Sequence, residues 1–396
     1  MDPRKNPYAP GAGTPPPELA GRGDLLERAA VSLDRIRDHR SARSFIFYGL
    51  RGVGKTVLLN KVRQDAEGRG VSCVWIEAPE DRSLPAMLAP ALRAALIKLS
   101  AGEAARAGIA KALGALASFA GAMKLKFQDI ELAMDYKPSK GTADSGDLQA
   151  DLADLLGKIG EAAAERGAAI VLFIDELQYV KEEQLAALIT ALHRTSQNQL
   201  PVTMVAAGLP QLVAQTGRAK SYAERLFEFV RIDSLDEPAA RDALCVPAEK
   251  QGVKYDGRAV NAILQQTRGY PYFLQEWGKH SWNIAAASPI GPKDARRATA
   301  AALAELDNSF FRVRFDRLTP AEKKYMRAMA ELGAGPHRSG DIAQLLGKKV
   351  TTVAPMRNTL ISKGMAYSPS HGDTAFTVPL FEGFMKRIMP KFEKGS

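Results

Sequence analysis

Ser44-Phe45-Ile46-Phe47-Tyr48-Gly49-Leu50-Arg51-Gly52-Val53-Gly54-Lys55-Thr56 is the stretch on which the reading of this chain turns. Phe45 to Tyr48 are aromatic or β-branched, the composition of a short buried strand, and Val57 to Gln64 continue as a helix. Between strand and helix, Gly49 to Thr56 fit the P-loop spacing G-x-x-x-x-G-K-[ST] in its required context. The glycines let the backbone curl until consecutive N–H groups point at one anion, and the helix N-terminus adds its partial positive charge. Gly49, Leu50, Arg51, Gly52, Val53, Gly54, Lys55, Thr56 and Val57 are therefore the expected phosphate-binding set. Lys55 is expected to reach the β and γ phosphates, and Thr56 to place its hydroxyl on Mg²⁺.

Outward from that loop, strand-like and helical segments alternate: 71–77 as strand, 84–99 as helix, 148–166 as helix, 169–175 as strand, 182–194 as helix and 202–207 as strand. Such alternation predicts an α/β fold, a parallel sheet flanked by helices. Ile170-Val171-Leu172-Phe173-Ile174-Asp175-Glu176 reads as a central strand that delivers two acids to the ligand edge of the sheet. Asp175 is expected to hold Mg²⁺ through water and Glu176 to polarise the attacking water. A guanine-reading Asn-Lys-x-Asp sequence is absent, so ATP/ADP rather than GTP is the expected cofactor, with Mg²⁺.

Pro17-Glu18-Leu19-Ala20-Gly21-Arg22-Gly23-Asp24, the P-loop, Ile174-Asp175-Glu176-Leu177-Gln178 and the helical region beyond residue 236 together resemble the AAA+/STAND P-loop ATPases. The nearest groups are the archaeal-type ATPases and those related to the origin-recognition complex. The resemblance covers roughly residues 17 to 300. It implies an adenine pocket lined by Leu19, Gly21 and Arg22, and a lid in which Pro271 of Gly269-Tyr270-Pro271 touches the nucleotide. It also implies that Arg225 contributes to catalysis by touching the γ-phosphate of a neighbouring subunit. The chain departs from the family at Ala207-Gly208-Leu209-Pro210, where a polar sensor residue is usual, and slow hydrolysis is the expectation.

The 396 residues suffice for two to three domains. The expected layout is a disordered tail over 1–17 and an ATPase α/β domain over 18–235 with an insertion at 101–134 that ends in a hairpin turning at Gln128-Asp129. A helical lid over 236–301, a linker helix over 302–317 and a winged-helix domain over 318–396 follow. The net charge of +10 is uneven: residues 1–250 hold 32 basic and 32 acidic side chains, residues 251–396 hold 22 and 12. The surplus points to a polyanion partner for the C-terminal third. In that third, Ser339 to Leu346, the turn Gly347-Lys348-Lys349 and Val350 to Lys363 read as a helix-turn-helix, followed by two strands and a wing.

For duplex DNA, Thr351, Thr352, Arg357 and Asn358 are the expected base-edge contacts, and Lys348, Lys349, Lys363 and His371 the expected phosphate or wing contacts. Cys73 and Cys245 suggest no disulfide framework, and no segment reads as a signal peptide or membrane span, so a cytoplasmic protein is expected. Three functions follow from these readings. The preferred one is an ATPase that couples nucleotide state to DNA binding. The alternatives are a STAND-like switch whose winged helix binds protein, and a loader or regulator in a replication or transposition assembly. A homo-oligomer or a protein partner is compatible with each.

Overall fold

The computed structural model describes residues 1–78, 82–100, 106–125 and 137–392. The chain divides into two compact units. The α/β unit comprises Arg22–Gly49 and Lys55–Ile232, and the second unit comprises Met1–Gly21, Leu50–Gly54 and Asp233–Ser396.

The α/β unit is built on a five-stranded parallel sheet of order β2-β3-β4-β1-β5. Its strands are β1 (Ser44–Tyr48), β2 (Ser72–Glu77), β3 (Ile170–Asp175), β4 (Val202–Gly208) and β5 (Phe227–Arg231). Strands β3 and β4 are buried at every position, the pattern of parallel strands covered on both faces. Alternate residues face opposite sides. Ile46, Leu172, Ile174, Met204 and Ala206 share one apolar core with α3 (Leu84–Leu99), α4 (Arg106–Ala122), α5 (Leu148–Glu165) and α6 (Glu182–Gln197). Helix α2 (Lys55–Gly68) touches β1, β2, β3 and β4. In the pairing of β1 with β4, Phe45 lies opposite Val205 and Tyr48 opposite Gly208. Both β1 and β3 therefore flank β4, and the loops after them leave from the same edge.

Strand β5 departs from the sequence reading, which has no strand there. Phe227-Glu228-Phe229-Val230-Arg231 mixes charges into a short run, and the strand pairs only with β1, at the sheet margin, where its Arg231 end is exposed. The expected hairpin at Gln128-Asp129 lies outside the described residues.

In the second unit, α9 (Glu237–Glu249), α10 (Gly257–Thr267), α11 (Pro271–Ile284) and α12 (Pro292–Asn308) pack on one another. Asp236 caps α9 through Ala239 N–H at 2.9 Å, as the Asp-Glu-Pro sequence leads one to expect. Helix α12 runs to Asn308, so the boundary expected at residue 301 falls inside a helix. The tail over 1–17, expected to be disordered, is ordered over its first part. Tyr8 is only 4% exposed and its hydroxyl donates to Leu244 O. The Trp282 indole donates to Asp2 O at 2.9 Å, and Asn6 Nδ2 donates to Lys279 O at 3.0 Å and to Asn283 Oδ1 at 2.8 Å. Proline-rich composition is compatible with order here because prolines enter with little conformational entropy to lose and one aromatic anchor buries a large apolar area.

After α13 (Phe310–Asp316), the C-terminal part orders its elements as α14 (Pro320–Leu332), β6 (His337–Arg338), α15 (Ser339–Leu345), α16 (Val350–Ser362), β7 (Ala366–Tyr367), β8 (Asp373–Phe376) and α17 (Phe381–Ile388). The three strands form an antiparallel sheet of order β6-β8-β7. Helix α14 begins with a complete capping box, Thr319 to Glu322. Pro355 lies just after the first turn of α16, on an exposed face. The carbonyl that loses its donor there, that of Thr351, belongs to an exposed residue, which limits the cost.

Candidate functional site

Strand β1 leads through Gly49–Gly54 into α2, whose first residue is Lys55. Gly52 and Gly54 have φ of 86° and 90°, conformations that residues with a Cβ rarely adopt. These two glycines curl the loop, and the chain continues into the N-terminus of α2, whose dipole favours anions. Within the α/β unit, Lys55 is 7% exposed and Thr56 donates its hydroxyl to Asp175 Oδ2 at 2.6 Å. Asp175 Oδ1 accepts the N–H of Glu176 at 2.9 Å. Burial is the largest influence on the Asp175 carboxyl and pushes it above its ordinary value, against the opposing pull of the Thr56 hydroxyl and the Lys55 charge.

Two hard oxygen donors, the Thr56 hydroxyl and a desolvated carboxylate, so close together fit a small divalent cation such as Mg²⁺. Among the described residues there is no group of three or more His, Cys, Asp or Glu side chains able to hold a metal by themselves. A cation here would therefore depend on further oxygen donors from a ligand and water, as is usual for Mg²⁺.

Glu176 takes a left-handed backbone conformation, with φ of 53°, that ends β3 sharply before the turn Leu177–Tyr179. The side chain of Gln178, 6% exposed, donates from Nε2 to Glu176 Oε2 and accepts the Leu209 N–H at 3.0 Å. Nothing in the sequence neighbours of Gln178 shows that it turns back toward β4.

Within the second unit, loop residues Leu50–Gly54 lie against the segment Tyr270–Tyr272. Tyr270 donates its hydroxyl to Arg51 O, and Tyr272 N–H donates to Gly52 O at 3.2 Å. A Cβ on Gly52 would approach the Tyr270 ring at 3.1 Å and Tyr272 at 3.2 Å, so the loop and the start of α11 are mutually fitted. Pro271 is the first residue of α11, where its missing N–H costs nothing. The Tyr272 ring stacks on Phe310 at 4.7 Å, and the Arg314 guanidinium sits over the same Phe310 at 3.8 Å. Arg51 N–H donates to Thr377 O at 3.3 Å, immediately after β8. Of the expected adenine-pocket residues, Gly21 faces Ala239 of α9 closely enough that a Cβ would meet it at 2.6 Å; Leu19 and Arg22 are half-buried.

Arg225 is exposed at the end of the short helix Ala223–Leu226. Glu228, a candidate partner for it, pairs instead with Arg28.

The C-terminal candidates separate into two groups. Lys348, Lys349, Thr351, Thr352, Asn358 and His371 are exposed, the first four clustered at the start of α16. Arg357 and Lys363, both expected to contact DNA, are instead engaged within the fold. Arg357 donates to Thr374 Oγ1 at 2.8 Å, to Ser368 Oγ at 2.7 Å and to Asp373 O at 2.8 Å, tying α16 to the β7–β8 hairpin. Lys363 pairs with the buried Glu322 at 2.8 Å, so its charge offsets a carboxylate that has lost water. Arg357→Ala should destabilise the C-terminal part by about 1–3 kcal/mol, since these partly buried bonds are lost together. Thermal unfolding checks this, and an unchanged melting temperature would show the three bonds to be dispensable.

Residues 18–205 match the AAA ATPase domain. Residues 308–385 match a domain of unknown function, DUF8462. No curated protein is similar to the chain. Among solved structures, a Walker-type ATPase of Pyrococcus abyssi is similar with a TM-score of 0.60 and 15% identity, covering 93% of this chain and 96% of that one. The Orc1 protein of Aeropyrum pernix, solved in complex with DNA, is similar with a TM-score of 0.48 and 16% identity, over 93% of each chain. Cdc6p of Pyrobaculum aerophilum is similar with a TM-score of 0.45 and 15% identity, over 98% of each. The parallel sheet and the match over residues 18–205 give the α/β unit a P-loop AAA+ fold. Among the described residues, no helix is long and apolar enough to cross a membrane.

Proposed function

We propose that the protein binds ATP with Mg²⁺ at the P-loop, hydrolyses it slowly, and couples its nucleotide state to duplex DNA through a C-terminal winged helix. The observation that carries the nucleotide reading is the Thr56–Asp175 contact at 2.6 Å within the α/β unit, and the positive φ of Gly52 and Gly54 supports it. Thr56 and Asp175 would hold Mg²⁺, which when bound neutralises phosphate charge. Lys55 would bind the β and γ phosphates. Glu176 would orient the attacking water and accept its proton as the new oxygen–phosphorus bond forms and the β,γ-bridging bond breaks, leaving ADP and phosphate. Leu19, Gly21, Arg22 and Pro271 would line the base, and Arg225, exposed and positively charged, would reach a neighbouring subunit's nucleotide. The glycine at 208 supports slow turnover, because no side chain at that position can itself position water.

The order of helices and strands from α14 to β8 supports the winged-helix reading. The exposed Lys348, Lys349, Thr351 and Thr352 at the start of α16 support DNA as the partner. Lys348→Glu with Lys349→Glu should weaken binding to random duplex DNA by at least about tenfold near 0.1 M salt, and should reduce the slope of log affinity against log salt by about 2. Filter binding or fluorescence anisotropy across a salt series measures both. Binding and slope that are unchanged favour the second reading, a switch whose C-terminal part binds protein. The contact of Arg51 N–H with Thr377 O speaks for that reading, since it joins the C-terminal part directly to the phosphate loop.

A further inference from the structure

At the end of β4 the chain carries Gly208, within the segment 207–210 where the resemblance leads one to expect a polar side chain. The space that such a side chain would enter is filled: a Cβ on Gly208 would come within 2.7 Å of Gln178 Oε1 and 2.7 Å of Leu212 Cδ2. The amide there is Gln178's, reaching over from the turn after β3. Its orientation is dictated by its surroundings. The backbone N–H of Leu209 can only donate, so the oxygen of the amide faces Leu209, at 3.0 Å. The NH₂ group must then face the other way, toward Glu176 Oε2, to which it donates. The main chain of Gln178 is held as well, its carbonyl accepting from Gln215 Nε2 at 3.1 Å.

We propose that Gln178 is a positioning residue of the hydrolytic site, fixing the Glu176 carboxylate from the turn after β3 while no side chain at position 208 meets the water directly. It holds one oxygen of the Glu176 carboxylate against the end of β4. Glu176 sits on a left-handed turn with a flexible side chain, and fixing one carboxylate oxygen reduces the orientations in which the group can meet a water. The glycine at 208 follows from the same arrangement, because any larger residue would displace the amide. This inference rests on the reading that Glu176 orients the attacking water.

Gln178→Glu is the decisive variant. It keeps an oxygen for Leu209 N–H and the same shape but sets a second carboxylate against Glu176, so Gln178→Met, which removes the donor without adding charge, is measured beside it and should lower kcat likewise. Its kcat for ATP hydrolysis should fall at least about tenfold while the dissociation constant for ATP stays within about twofold. Gly208→Ala, which pushes the amide from the other side, should lower kcat in the same way. A purely structural role would move affinity and melting temperature along with turnover. A kcat for Gln178→Glu that is unchanged or raised, or a loss shared equally by ATP affinity, overturns the proposal. Wild-type protein that does not bind and hydrolyse ATP overturns the functional reading together with it. Wild-type turnover beside an indifferent Gln178→Glu overturns this proposal alone.

Discussion

Lys55→Ala should reduce nucleotide affinity by at least about 100-fold, the value of charge-assisted contacts made to phosphate in a site largely shielded from water. The Lys55 side chain is 7% exposed, so its ammonium has already given up most of its hydration in the folded chain. In the folded chain its charge acts on the buried Asp175 carboxyl, so the melting temperature of the nucleotide-free variant is measured beside its affinity, which separates loss of binding from loss of fold. Alanine at this position should also abolish the rise in melting temperature that saturating ATP gives the wild-type protein, because a ligand stabilises only the state that binds it. Titration with a fluorescent ATP analogue, paired with thermal unfolding, tests both halves. Affinity within twofold of wild type would sink the P-loop assignment.

Glu176→Gln should lower hydrolysis by about 100- to 1,000-fold, the usual contribution of a positioned general base, with ATP affinity preserved. Glutamine keeps the length of the side chain and one carbonyl oxygen for Gln178 to hold, but it cannot take a proton from water. The variant should therefore accumulate as an ATP-bound protein, and single-turnover hydrolysis should show the loss as clearly as steady-state turnover. Hydrolysis within threefold of wild type would exclude Glu176 as the base and direct attention elsewhere on the loop edge. Because Asp175 also lies there and is buried, Asp175→Asn serves as the contrast. It should weaken the dependence on Mg²⁺, whereas Glu176→Gln should leave that dependence in place.

The parts of the fold that were legible in sequence are those whose physical cause is local. Phe45 to Tyr48, Gly49 to Thr56 and the helix after them are covalent neighbours, so strand, curl and helix start are written in consecutive residue types. The same holds for Ile170 to Asp175, where a short apolar run rich in β-branched and aromatic residues reads as a strand covered on both faces, and the acids that end it fall at the ligand edge. Strand β5 is not legible in sequence because its pattern is interrupted by Glu228 and Arg231 and pairing with β1 makes it a strand. The order of residues 1–10 is not legible either, because it depends on Tyr8 meeting Leu244 and Asp2 meeting Trp282, pairs far apart in the chain.

For the candidate sites the division is the same. Residue identity and spacing alone singled out Lys55, Thr56, Asp175 and Glu176, since a phosphate loop and an acidic strand end each need only their own short segment. Tertiary structure decided which polar side chains remain available. Arg357 and Lys363 look like nucleic-acid ligands in sequence, yet their donors are committed to Thr374, Ser368, Asp373 and Glu322. Gln178 looks like an ordinary turn residue, yet it joins Glu176 to Leu209 across two strand ends. A hydrogen bond needs its partner within about 3 Å, and these partners come from other segments of the chain, so only the folded backbone could bring them together.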